Sequence, residues 1–199
     1  MKRMFRSTLL KLALIGFQLS AQDHRCIDAI YDEDEPRNTP DFEFDRTFAG
    51  DADGSYSCRI VMRPSAMRTA LEQFRFGVLY RDATSIKSVV HFPVTARVSK
   101  FDVGLENKVK IVRIRDVKEW FAFQDEYFSK IHLALVACAY MGNVTPVGGR
   151  AQGVMIGTGT FWFQAPADTR KVSMTAVNLS PKTAEALAKA CIPPGAEGN

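Results

Sequence analysis

The chain has 199 residues, 46% of them hydrophobic, and a formal net charge of +4. That length supports one domain with a proper core and is short for two. Lys2, Arg3, Arg6 and Lys11 all fall in an N-terminal segment with the layout of an export signal, so the mature chain is near neutral, which argues against a nucleic-acid partner.

That segment, residues 1–21, opens on Lys2, Arg3 and Arg6, runs through an apolar stretch centred on Leu12–Phe17 and ends at Ser20-Ala21. It reads as a secretory signal peptide. A spanning helix needs about 20 apolar residues and this run is shorter, so no stable membrane insertion is expected after its removal. Residues 22–57 form an acidic segment. Between Gln22 and Asp53 stand eleven acids, including the run Asp32, Glu33, Asp34 and Glu35, against Arg25, Arg37 and Arg46. Pro36 and Pro40 oppose a long helix and the like charges oppose compaction. An irregular strap is expected, packing Phe42, Phe44 and Phe48 and showing its acids to water or to a partner. Gly50–Ser55 resembles part of a calcium loop but lacks the closing Glu, so a Gly/Asp turn is the better reading.

Residues 58–199 make the single folded domain. Ser65–Asp82 reads as a helix with Ser65 as N-cap and Met67, Leu71, Phe74 and Val78 as its apolar face. Ile86–Val98 alternates as a strand, with His91, Thr95 and Arg97 on the wet face and Pro93 hinting at an edge or bulge. Val109–Asp116 is a second strand. Val117–Tyr140 is the longest helical run, with Val117, Phe121, Phe128, Ile131, Leu135 and Cys138 in one row and Gln124 as the one polar residue in it. Met141–Gly149 reads as loop, and Gly153–Phe163 as β-rich. Its glycines 153, 157 and 159 suggest a bend or a close backbone approach. Val172–Leu179 is the last strand and Ser180–Cys191 a short helix.

The mature chain holds four cysteines, at 26, 58, 138 and 191, none in a CxxC pair. An even number behind a signal reads as two disulfides in an oxidising compartment, with three connectivities possible. Cys26–Cys58 with Cys138–Cys191 is favoured, closing the N-terminal segment and tying the tail to the long helix. The spacing does not suit a metal site, and neither a metal nor a cofactor is expected.

Over Ser65–Leu179 the chain resembles the cystatin-like or NTF2-like group of small α+β domains, and small secreted bacterial proteins are similar there. The likeness is carried by Phe92-Pro93-Val94, Trp120-Phe121, Tyr127-Phe128, GVMIG at 153–157, GTFWF at 159–163 and Val177-Asn178. It implies an α+β fold in which a curved antiparallel sheet packs as a cone on a long central helix. It implies no single activity, because this superfold carries enzymes, binding modules and inert scaffolds.

Catalytic chemistry has few carriers. If the wet face of the first strand lines a pocket, His91 with Asp82, Asp116 or Asp125 could form a general-base pair; a solvent-exposed strand histidine is the plainer reading. His132, off the apolar row, reads as solvated. The residues therefore point to a periplasmic or secreted non-enzymatic protein that binds another envelope protein or a small ligand. An immunity or inhibitor type, with Asp32–Glu35 as contact residues, is one version. The alternatives are an NTF2-like hydrolase or isomerase, with its pocket between central helix and sheet, and a structural accessory with no ligand.

Overall fold

The computed structural model describes residues 30–49, 62–100, 108–147, 153–157, 159–165 and 171–180. Among them are five α-helices: α1 (Pro40–Ala49), α2 (Pro64–Leu79), α3 (Ala83–Val89), α4 (Val117–Tyr127) and α5 (Lys130–Ala137). The strands are β1 (Val90–Lys100), β2 (Lys108–Ile114), β3 (Val144–Val147), β4 (Gly153–Ile156), β5 (Phe161–Gln164) and β6 (Ser173–Leu179). The fold is α+β. The expected signal peptide, the Gly50–Ser55 turn, Cys26, Cys58 and Cys191 lie outside the described residues.

The sheet runs β2-β1-β6-β5-β4-β3. Its pairings are antiparallel except β1 with β6, which is parallel. The expected all-antiparallel sheet is thus a mixed one. Alternation along a strand shows which face is buried but not the direction of its neighbour. Val94, Ala96 and Val98 of β1 point inward with Val154, Ile156, Phe161, Phe163, Met174, Val177 and Leu179. Met67, Leu71, Phe74 and Val78 of α2 join them in one core with Ile86, Trp120 and Leu135. Pro93 sits where the β1–β6 register shifts, between Val90 and Thr95, so it marks an irregularity inside the sheet and not its edge.

Within the acidic segment, residues 30–39 are turns and bends and Pro40–Ala49 is helical. Pro40 takes the first position of α1, where its missing N–H costs nothing, and Thr39 Oγ1 accepts the Phe42 N–H (3.1 Å). Phe42 joins Ile30 and Tyr31 in a satellite apolar cluster, while Phe44 and Phe48, one turn apart, meet at 4.6 Å. The helix is fastened to the body by Asp45, which is fully buried. Asp45 Oδ1 accepts the Ser65 N–H (2.5 Å), and Oδ2 accepts the Ser65 hydroxyl (2.9 Å) and the Tyr31 hydroxyl (2.7 Å). Arg63, the N-cap of α2, makes no side-chain cap bond. Asp45 serves in its place, putting a carboxylate on the positive end of α2. Burial, then the adjacent Asp45, pushes the Tyr31 phenol well above its ordinary value.

The first strand starts later than its sequence pattern suggests. Asp82 accepts the Ser85 N–H (2.6 Å) and caps α3, so Ile86 and Val89 are buried from a helix. Ile86 and Val90 fit a strand and a helix equally at this spacing. The long helix is also broken, after Tyr127. Phe128 is extended (φ −81°, ψ 117°) and packs its ring against Trp120 (6.0 Å), Phe123 (6.0 Å) and Phe161 (5.8 Å). Ser129 then starts α5 as N-cap. The break changes the phase of the stripe. Trp120, Phe123 and Gln124 face the core in α4, whereas Phe121 is half-buried and Ile131 is exposed.

The β-rich Gly153–Phe163 run folds as the β4–β5 hairpin. Gly157 (φ 65°) and Gly159 (φ 85°) take the left-handed conformation that its turn needs. At Gly153 a Cβ would lie 2.5 Å from the Phe163 carbonyl oxygen, so Gly153→Ala must push β4 off β5 at a cost of about 2 kcal/mol. Thermal unfolding reads this directly, and an unchanged Tm would contradict the close approach. Val144–Val147, expected as loop, is edge strand β3 despite Pro146, a position that tolerates proline.

Candidate functional site

A cleft of about 350 Å³ opens between the end of α2, α4 and the start of α5. Val78, Leu79, Phe128 and Leu133 supply its apolar lining, and Arg81, Gln124 and Asp125 its polar groups. Its geometry follows from how α2 stops. Asp82 N–H bonds back to the Gly77 carbonyl (3.1 Å), closing a Schellman-like turn with Arg81 in the left-handed conformation (φ 56°). Val78 is among the last four residues of the helix, whose carbonyls lack intrahelical donors. Gln124 Nε2 reaches from α4 to donate to the Val78 carbonyl (3.0 Å).

That bond orients the amide. Turned over, Gln124 would set oxygen against oxygen, so Nε2 must face Val78 and Oε1 must face away from it. Gln124 is only 7% exposed, and its Oε1 is buried without a hydrogen-bond partner. An acceptor left in that condition costs about 1–3 kcal/mol. Beside it, Arg81 grips Asp125 through two bonds (2.6 and 3.1 Å) and lies over the Phe121 ring (4.9 Å). Both partners are well exposed, so this pair is worth only ~0–1 kcal/mol and can open. The Phe128 wall is fixed by its aromatic neighbours.

The residues expected to carry chemistry are not brought together. His91 is exposed on β1, on the face turned away from the core. Asp82 caps α3, and the Ser85 N–H and hydroxyl hold its carboxyl below the usual range. Asp116 caps α4 by accepting the Glu119 N–H (2.9 Å). No hydrogen bond or ion pair links any two of these three. Asp125 is engaged by Arg81. Among the acids of the strap, Asp32, Glu33 and Asp34 are exposed, while Glu35 is half-buried, bonded to Arg63 and to the Asp32 N–H. Cys138 is disulfide-bonded; its partner lies outside the described residues. No group of three or more metal-ligating side chains occurs among the described residues, and none of the described helices is long and apolar enough to cross a membrane.

His132 is not a solvated surface residue. Its Nδ1 accepts the Ser129 N–H (3.0 Å) at the start of α5, and burial holds its imidazole below the ordinary value. The folded state therefore favours the neutral ring. Its contribution is complete above the ordinary imidazole value of about 6.5 and is lost as the pH falls toward the lower folded value. Protonation also removes the acceptor for Ser129. The Tm should drop between pH 7.5 and pH 5 in the native chain, and drop less in His132→Gln, which keeps an acceptor at this position. Equal drops in the two proteins would show that His132 is not the titrating group.

Gln124 is the site residue that enzyme-minded reasoning passes over. Its signal is visible in the sequence all the same, as the one polar residue in an apolar row. Compared with protein-family models, with curated proteins and with solved structures, the chain matches none.

Proposed function

We propose that this protein is an exported, non-enzymatic binding protein that holds a small ligand in the cleft between α2, α4 and α5. The observation that carries this reading is the cleft itself, about 350 Å³ and lined by Val78, Leu79, Phe128 and Leu133 beside Arg81, Gln124 and Asp125. Periplasmic or secreted placement belongs to the same proposal and rests on the signal-like layout of residues 1–21 and the even set of cysteines. So does kinship with the NTF2-like or cystatin-like group, for which the support is an α+β domain whose sheet is backed by helices around Trp120, Phe128 and Phe161.

The other readings have less behind them. An enzyme built on His91 would need a carboxylate in reach, and Asp82 and Asp116 are occupied as helix caps. An immunity or inhibitor role would rest on the exposed acids of the strap, Glu33 and Asp34 among them, because Glu35, Asp41 and Asp45 bond to Arg63, Arg68 and Ser65 of the body. A scaffold with no ligand leaves the cleft without a use.

The test is a thermal-shift screen of small molecules on the native chain beside Leu133→Trp, which fills the cleft while leaving the Gln124–Val78 bond in place. Compounds that raise the Tm of the native chain and not of Leu133→Trp are the expected result. If every stabilising compound acts equally on both proteins, the cleft is not the binding site.

A further inference from the structure

The two edges of the sheet are unlike. β3 is four residues long and carries Pro146, and both features blunt a strand against further pairing. β2 is seven residues long, holds no proline, and pairs with β1 from Ile114 to Lys108 without a register shift. Its outer flank meets no other strand among the described residues, so a row of backbone donors and acceptors stands there at strand spacing. Lys110, which could guard that row, is instead engaged by Tyr127 and Glu126 of α4.

We infer that β2 is a docking edge for an extended, acidic segment of a partner protein, which adds to the six-stranded sheet as one more strand. Charge is the first reason. The six strands contain no Asp or Glu. Arg97 of β1 stands opposite Ile111, and Thr95 opposite Arg113, so the two arginines are diagonal neighbours, about 7 Å apart at Cβ, on the face turned away from the core. Both are exposed, and neither forms an ion pair among the described residues. Surface is the second reason. On the same face Ile111 is 67% exposed and Val109 53%. An extended peptide with apolar residues beside these two and carboxylates beside the arginines satisfies the backbone, the apolar side chains and the charge together. A second copy of the chain would add its own cationic edge to this one, with no acid in either sheet. An anionic lipid surface would use the guanidiniums and leave the backbone row unpaired. None of these residues lines the cleft, so the docking edge stands apart from the ligand reading.

The probe is the peptide acetyl-Glu-Thr-Val-Thr-Val-Thr-Glu-amide, whose extended form shows Glu, Val, Val and Glu on one face. It is titrated into the full-length protein and followed by the backbone amide signals in ¹H–¹⁵N NMR spectra. Two comparators run beside it: the same sequence with Lys in place of both Glu, and the acidic sequence N-methylated at its five inner residues, which keeps the charge and loses the strand donors. The acidic peptide should shift the Val109, Ile111 and Arg113 amides and bind about tenfold more tightly than the Lys peptide, the fold-change expected from two exposed charge pairs. The N-methylated peptide should bind at least tenfold more weakly, having lost its ladder bonds. In the double variant Arg97→Glu, Arg113→Glu, both at exposed positions, the preference should reverse toward the Lys peptide. Equal binding of the Glu and Lys peptides would overturn the acidic partner, and equal binding of the N-methylated peptide would overturn strand addition. Sedimentation velocity of the protein alone should show a monomer; a dimer dispersed by Ile111→Lys would give the edge to a second copy and overturn the proposal. Phosphatidylglycerol vesicles that bind at these residues when the acidic peptide does not would give it to a membrane, with the same result. No shift along β2 at millimolar acidic peptide, with no binding to vesicles, would remove the docking edge and leave the cleft untouched.

Discussion

Asp45→Ala should lower the free energy of unfolding by about 3 kcal/mol, because it strands the Tyr31 hydroxyl, the Ser65 hydroxyl and the Ser65 N–H in a buried site, and each such group costs about 1–3 kcal/mol. The effect should be concentrated in α1. Its own apolar cluster consists of Ile30, Tyr31 and Phe42, too little burial to hold a ten-residue helix without a tether. Hydrogen exchange should therefore show the α1 amides losing roughly a hundredfold in protection while the strands change less. Tyr31→Phe removes one bond and should cost about 1 kcal/mol, and adding it to Asp45→Ala should cost less again, since the two share a partner. A loss under about 1 kcal/mol for Asp45→Ala by urea unfolding would mean that the carboxylate is not the fastening, on the same scale of unsatisfied groups.

Phe74→Ala should be more damaging, at about 4 kcal/mol, the range for deleting a fully buried aromatic side chain. Phe74 stands where α2 meets both α4 and the sheet. Its ring lies 5.0 Å from Phe161, 5.4 Å from Phe163 and 6.2 Å from Trp120, edge-on to all three. Such pairs add about 0.5–1.5 kcal/mol each beyond burial, and the cavity opens between layers that cannot both close over it. Here the loss should be global, with one cooperative transition at lower denaturant. Phe76, two residues on and half-exposed, is the control, and its change to Ala should stay within about 1 kcal/mol. Equal losses at the two positions would refute the placement of the core.

Much of the domain was legible before any tertiary information. Met67, Leu71, Phe74 and Val78 marked the buried face of α2, and Val94, Ala96 and Val98 that of β1. Glycines 153 and 157 marked a close approach and a turn. The errors cluster where two periodicities coincide or where a partner distant in sequence decides. Ile86 and Val90 satisfy both helix and strand spacing, and the Asp82 cap settles it as helix. Ser129 could continue a helix or start one, and the pull of Phe128 toward Trp120 and Phe161 makes it start one. Pro40 reads as a breaker until it is seen to stand at a first turn.

The candidate site divides the same way. Side-chain spacing is a local property, and it places an amide among apolar residues at Gln124 and a buried face of Met67, Leu71, Phe74 and Val78 on the first helix of the domain. The closing of the layers sets the amide against the Val78 carbonyl, brings Asp45 to cap a helix it does not belong to, and lays β1 parallel to β6. Those outcomes depend on which orphaned donors and acceptors meet once the layers close, and residues 46 positions apart, such as Val78 and Gln124, have no local pattern that could announce their meeting.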